Sequence, residues 1–278
     1  MLLREAIEVW TDRLASTHMP STITAYRKDA LRFVEWREDS MTEMDVVILE
    51  DYDDHLRRDG VSVSARQRAF YALSSLISYL RRHGHPITGM EPSHPRGRVP
   101  RRDAIPSSVL DGIVTGEKDP MHRAFLVTLA GTGARLGEVL SLDASKVDLE
   151  EGVIEISGEK DSGARTIPLS AFTVEALRDY ILDDRRPPKS GDPLFVTRVG
   201  SRMSERTART IWKQALERVG ASGFCMHQVR HRYATDVVAR GGLDVGQALL
   251  GHRSPSSVLR YSHPSMDRLR DAVMEVKR

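Results

Sequence analysis

The segment Gly131-Thr-Gly-Ala-Arg-Leu-Gly137 sets an arginine in a glycine-rich corner that has the look of a phosphate cradle. A dinucleotide fold would require GxGxxG spacing directly after a strand. Here the spacing is GxGxxxG, and the apolar run before it, Ala124 to Ala130, is as compatible with a helix. A helix–turn–helix corner carrying Arg135 and Glu138 accommodates the segment better. Taken alone, Arg135 reads as a surface ion pair with Glu138, three residues on. In His227-Gln-Val-Arg-His231 the two histidines lie four apart and share a helical face. That is metal-ligand spacing, but the zincin motif needs Glu after the first His, where Gln228 stands, and no nearby Cys or carboxylate completes a zinc set. His227 and Arg230 share that face too, and both could reach one anion. Leu249-Leu-Gly-His252 and Arg260-Tyr-Ser-His263 close the series. No G-x-S-x-G supports a serine nucleophile, and no Walker loop indicates ATP use.

The elements that must hold these residues fall into two groups. Over residues 1–87, apolar positions recur at helical spacing: Leu3, Ile7, Trp10 and Leu14; then Tyr26, Ala30, Phe33 and Val34 behind a cap at Ser21 or Thr22; then Val46, Val47, Leu49, Tyr52 and Leu56; then Phe70, Leu73, Leu76, Ile77 and Leu80 within about Val63 to Arg82. These stripes predict the core of a small helical bundle. Pro86, Pro92, Pro95, Pro100 and Pro106 forbid a continuous helix, so residues 88–106 read as a basic, Pro-rich linker. Residues 107–278 read as a second domain of mixed α+β type. Val153–Ile156 and Arg165–Leu169 are predicted strands joined by a turn over Glu159–Gly163, and helices follow at about 171–183, 204–219 and 227–240. The fold class is therefore mainly α with a small antiparallel β-sheet.

Composition bounds the rest. The 278 residues are 40% hydrophobic and 29% charged, which is ordinary globular usage and excludes a disordered chain. No apolar run approaches the ~20 residues of a membrane span. Arg4, Glu5 and Glu8 interrupt any signal-peptide core, and the single cysteine, Cys225, rules out an internal disulfide and a CxxC metal site. The expected location is cytoplasmic. Net charge is only +2, but its distribution is uneven. Eight arginines (Arg66, Arg68, Arg81, Arg82, Arg96, Arg98, Arg101 and Arg102) lie between Gly60 and Arg102 with one acid, Glu91, whereas Glu43 to Asp59 holds seven acids. One side facing a polyanion and one solvated side would give this pattern.

In order along the chain stand Arg135, Lys160 in a β-turn, His227-x-x-Arg230, Gly251-His252 and Tyr261. With the strings TGARLGEVLSL, EKDSGARTIPL, HQVRHRYAT and LLGHRSPSSVLRYSH, this combination resembles the tyrosine recombinase, or phage integrase, family over nearly the whole chain. STITAYRKDALRFVEW and SARQRAFYALSSLISYL resemble that family's SAM-like core-binding domain. The resemblance implies a site-specific recombinase, Xer-like or an arm-less simple integrase of a phage or mobile element. It would cut and rejoin duplex DNA through a 3′-phosphotyrosyl intermediate and a Holliday junction, with no cofactor, ATP or metal. Tyr261 would be the nucleophile, Arg135 and Arg230 would grip the non-bridging oxygens, and Lys160 would be the general acid. His227 would be an acid/base partner, and His252 would hydrogen-bond the phosphate. The eight arginines would lie along DNA, and four protomers would assemble on paired sites, with a second recombinase or accessory factor as a further partner.

Some positions depart from the family pattern. Lys160 lies between Glu159 and Asp161 instead of among glycines, and neighbouring acids favour its protonated form. Ala134, Gly137 and Ser257 are small-residue variants that remove no catalytic group. After Tyr261, Met266, Leu269, Val273 and Val276 recur at helical spacing, and the family resemblance implies that this tail helix docks on a neighbouring protomer. Competing readings are a type IB topoisomerase, a catalytically silent DNA-binding protein, and a metal-dependent nuclease built on the acids from Glu50 to Asp54. The last are more simply a solvated helix face.

Overall fold

The computed structural model describes residues 3–37, 46–85, 87, 94–95, 103–158, 164–182, 191–197 and 200–251. The chain separates into two compact units, Met1–Arg101 and Arg102–Arg278. Among the described residues no helix is long and apolar enough to cross a membrane.

The first unit is built from α1 (Leu3–Leu14), α2 (Pro20–Trp36), α3 (Val46–Arg58) and α4 (Val63–Arg82). Proline opens α2, where its missing N–H costs nothing. Ser62 caps α4 by accepting from the Ala65 N–H at 3.4 Å, and Arg81 and Arg82 complement the negative end of the same helix. The predicted stripes face one another. Ile7, Trp10, Phe33, Tyr52, Leu56, Phe70, Leu73, Leu76 and Ile77 are all buried. Each such side chain contributes about 1.5–3 kcal/mol of burial. Phe33 and Tyr52 meet edge to face at 4.8 Å, and burial pushes the Tyr52 phenol well above its ordinary pKa, so it stays neutral.

The second unit runs α5 (Ser107–Gly116), α6 (Pro120–Thr132), α7 (Leu136–Leu140), a 3-10 turn (Ala144–Lys146), β1 (Val147–Asp148), β2 (Val153–Ile156), β3 (Arg165–Pro168), α8 (Ala171–Ile181), α9 (Glu205–Arg218) and α10 (Met226–Leu250). The sheet is antiparallel in the order β1-β2-β3, with Val147 opposite Ile154 and Ile156 opposite Arg165. Ile154, Ile156 and Ile167 turn into the core. The apolar run before the glycine-rich corner is the helix α6, buried from Ala124 to Leu129, so no strand precedes the glycines. Its close packing on α8 demands glycine: a β-carbon at Gly131 would sit 2.5 Å from Thr173 Oγ1.

Three expectations change. Helix α2 starts at Pro20 with Met19 as its N-cap and no side-chain cap, so Ser21 and Thr22, expected as caps, lie inside the helix, where proline has already set the first turn. Strand β1 was not foreseen, because two residues are too short to show a period. Helix α10 continues past residue 240 to Leu250, with its path broken at Gly242, whose φ of 88° and ψ of 179° suit glycine. The turn Glu159–Gly163 and the tail after Gly251 lie outside the described residues.

Candidate active site

The site grows out of the end of α6. Thr132 Oγ1 donates to the Thr128 carbonyl at 2.6 Å and accepts the Ala134 N–H at 3.2 Å, closing the last turn. Gly133 then takes the left-handed conformation, φ 58°, and ends the helix. Its missing side chain also makes room, since a β-carbon there would lie 2.2 Å from Cδ1 of Tyr233 on α10. Burial pushes the Tyr233 phenol up, so that ring is a neutral packing surface. The reversed chain delivers Arg135 to the start of α7.

Glu138 occupies the third position of α7 and reaches back to its start, accepting the Arg135 backbone N–H at 2.8 Å. It also accepts from Arg135 Nη1 at 3.1 Å. The ion pair expected from the spacing is therefore present, but it is not a surface pair. The Glu138 side chain is fully buried, while that of Arg135 is 35% exposed. A buried carboxylate needs its lone pairs filled. A second guanidinium, Arg165 of β3, fills them, with Nη1 to Oε1 at 3.3 Å and Nη2 to Oε2 at 2.8 Å.

Arg230 arrives from α10. That helix is anchored by Gln228, which accepts the Cys225 N–H at 2.8 Å and donates to the Asp103 carbonyl at 2.9 Å. Gln228, weighed in the sequence as the residue that spoils a zinc motif, is thus a helix cap. Arg230 is buried. It donates to the Gly133 carbonyl at 2.7 Å and to the Leu250 carbonyl at 3.0 Å, and its Nη1 lies 4.0 Å from Glu138 Oε2. His227, one turn earlier, is exposed. Three guanidiniums around one carboxylate make this corner electropositive, with arginines able to donate paired hydrogen bonds to a phosphate.

The structure thus brings Arg135, at the start of α7, and Arg230, on α10, together at Glu138. Lys160, His252 and Tyr261 lie outside the described residues, His252 being the residue directly after the α10 cap Gly251. Arg165 was read from the sequence as part of a strand and of the string EKDSGARTIPL, without a role in the site. One signal could have found it. Strand alternation puts residue 165 on the same face as buried Ile167, and an arginine on a buried face needs a partner.

The arginines of the first unit are corrected in part. Arg66, expected along DNA, is buried, and its Nη1 bonds Asp53 Oδ1 at 2.5 Å. Its place in the stripe between Val63 and Phe70 turns it inward. Arg68 pairs with Asp29 through two bonds of 2.7 and 3.1 Å, yet its side chain remains 45% exposed. Arg81 is half-buried against the Ile87 carbonyl, and Arg82 is exposed, resting on the Ser78 carbonyl at 3.1 Å. Arg96, Arg98, Arg101 and Arg102 lie outside the described residues.

Comparison with known proteins gives the family. The phage integrase family matches residues 109–268. The tyrosine recombinase XerD of Corynebacterium glutamicum is 29% identical over 98% of this chain and 97% of its own length. The tyrosine recombinase XerC of Pseudomonas savastanoi pv. phaseolicola is 28% identical over 88% and 85%. Among solved structures, the Tn1549 transposon integrase with transposon right-end DNA shares the fold at a TM-score of 0.79, with 16% identity over 99% of each chain. The XerH recombinase bound to its difH substrate does so at 0.72, with 22% identity over 92% of this chain and 79% of that one. A buried arginine-and-carboxylate corner, the ordered motifs that follow it and a match spanning more than half the sequence place this chain in the phage integrase family, the tyrosine recombinases.

Proposed function

We propose that the chain is a site-specific DNA recombinase that breaks and rejoins DNA strands through a 3′-phosphotyrosyl intermediate and a Holliday junction. The observation that carries this reading is the convergence of Arg135 and Arg230 on the Glu138 corner in a chain of this family. In the reaction, the Tyr261 oxygen attacks the scissile phosphorus and the bond to the 5′ oxygen breaks. Arg135 and Arg230 stabilise the negative charge gathering on the two non-bridging oxygens, an electrostatic contribution that is usually the largest single one. Lys160 supplies the proton to the departing 5′ oxygen, His227 serves as acid/base partner to the tyrosine, and His252 donates to the phosphate. The phosphotyrosyl bond conserves the energy of the phosphodiester, so rejoining by a 5′ hydroxyl needs no ATP.

The DNA substrate is a duplex recombination site. Relatives solved on transposon-end DNA and on difH support that class. Residues 1–87 act as the core-binding domain, 88–106 as a basic linker and 107–278 as the catalytic domain. Arg68, Arg82 and the linker arginines Arg96, Arg98, Arg101 and Arg102 contact phosphates, while Arg81 supports that face and Arg66 is withdrawn from it. Four protomers act on two paired sites, each tail helix after Tyr261 docking on a neighbour.

Covalent trapping tests the reading. The protein is incubated with nicked duplexes tiled from the DNA flanking its own gene, and wild type is compared with Tyr261→Phe. A denaturant-resistant protein–DNA band in wild type alone is expected. Specific binding of one duplex without any band would leave a silent DNA-binding protein and overturn the proposal.

A further inference from the structure

Arg165 has no role in the reaction as assigned above, yet its side chain is only 6% exposed, an expensive place for a guanidinium. Its contacts tie three elements together. Nε donates to the Leu249 carbonyl near the end of α10 at 2.9 Å, and the two terminal nitrogens donate to the two oxygens of Glu138. The geometry around Glu138 is regular. Oε1 accepts from Arg135 Nη1 and Arg165 Nη1, and Oε2 accepts from the Arg135 backbone and Arg165 Nη2. A carboxylate has about four acceptor sites. Arg165 therefore takes two of those sites. Arg230 Nη1 lies 4.0 Å from Oε2 and donates to the Gly133 carbonyl.

We infer that Arg165 is a positioning residue for the strand-cleavage step, an inference that rests on the recombinase reading. By filling two acceptor sites of Glu138, it keeps that carboxylate from drawing Arg230 out of the direction in which it meets the scissile phosphate. By holding the Leu249 carbonyl, it also fixes the end of α10, where the adjacent Leu250 carbonyl orients Arg230. Lysine cannot substitute. A single ammonium on a flexible stem does not span both carboxylate oxygens and a carbonyl 84 residues away in sequence.

The test uses the full-length chain and the duplex that reacts in covalent trapping, in two forms. One carries the natural scissile phosphodiester, and the other carries a methylphosphonate there. The methylphosphonate lacks one non-bridging oxygen and its charge, so it depends less on correctly aimed arginines. Arg165→Lys and Arg165→Met are compared with wild type for melting temperature, duplex affinity and single-turnover adduct formation at saturating protein. Both variants are expected to bind the duplex as wild type does and to cleave the phosphodiester about 100-fold more slowly. On the methylphosphonate the deficit should shrink to within about tenfold. An equal deficit on both substrates would mean a merely structural role, and full activity of the lysine variant would dispose of the fork argument; either overturns the inference. Should the methionine variant fail to fold, the charge-conserving lysine variant carries the comparison. A wild-type chain that forms no adduct overturns the recombinase reading and this inference with it. Reactive wild type with unimpaired variants overturns the inference alone.

Discussion

Two groups of arginines, one in each unit, keep different company. In the helical unit Arg68 holds Asp29, and Arg66 and Arg57 share Asp53, with Asp54 also within reach of Arg57. In the second unit Arg135, Arg165 and Arg230 crowd around the single carboxylate of Glu138. A matched pair uses its charge internally, whereas several guanidiniums gathered at one buried carboxylate favour an anion beside them, and low solvent exposure strengthens that attraction. Counting arginines between residues 60 and 102 therefore overstates how much positive charge DNA can meet. The ratio of guanidinium to carboxylate at contact distance is the better guide.

This contrast can be broken at its strong end first. Arg230→Ala removes the buried guanidinium proposed to meet the reacting phosphate, and adduct formation should fall at least about 1000-fold while the protein still binds its duplex. Retention of wild-type cleavage would mean the three-to-one corner is not the anion site. Gly133→Ala forces a side chain into the left-handed region and into the Tyr233 ring, so urea unfolding should show a loss of about 2–4 kcal/mol. A neutral result would show that α6 and α10 can separate at no cost.

The matched pairs should respond differently. Arg66→Met leaves Asp53 with Arg57 as its remaining ion-pair partner, and a stability loss of about 2 kcal/mol is expected, with no change in the salt dependence of DNA binding. A reduced salt dependence would place Arg66 back on the DNA. Arg82→Ala should do the opposite. Stability stays within about 0.5 kcal/mol, and the slope of log affinity against log salt falls by about 0.9. An unchanged slope would remove Arg82 from the phosphate-facing set. Arg68→Ala, at a half-exposed pair, should cost less than about 1 kcal/mol in a urea titration.

Much of this was legible before any coordinates. The helices were readable because a stripe such as Phe70, Leu73, Leu76, Ile77 and Leu80 has a period that a single helix imposes, and α4 ends where that period and its terminal arginines end. The strands β2 and β3 were readable from alternation and from the turn residues between them. Arg135 and Arg230 were readable as candidates, but only through the order of motifs, because each alone has an ordinary explanation. The ion pair of Arg135 with Glu138 was predicted correctly as a pairing and misjudged as a surface feature, since spacing carries no information about burial.

The chain by itself thus determined which residues could share a helix face, roughly where most helices lie, and which family the motifs belong to. Those properties depend on near neighbours in sequence and on the period of the backbone. Only the tertiary structure decided that Glu138 is sealed from water, that Arg165 crosses from a strand to complete it, and that Arg66 turns inward while Arg82 stays outside. Each of these depends on contacts between residues distant in the chain. Whether a charge is neutralised or left to act on a ligand is set by what packs over it.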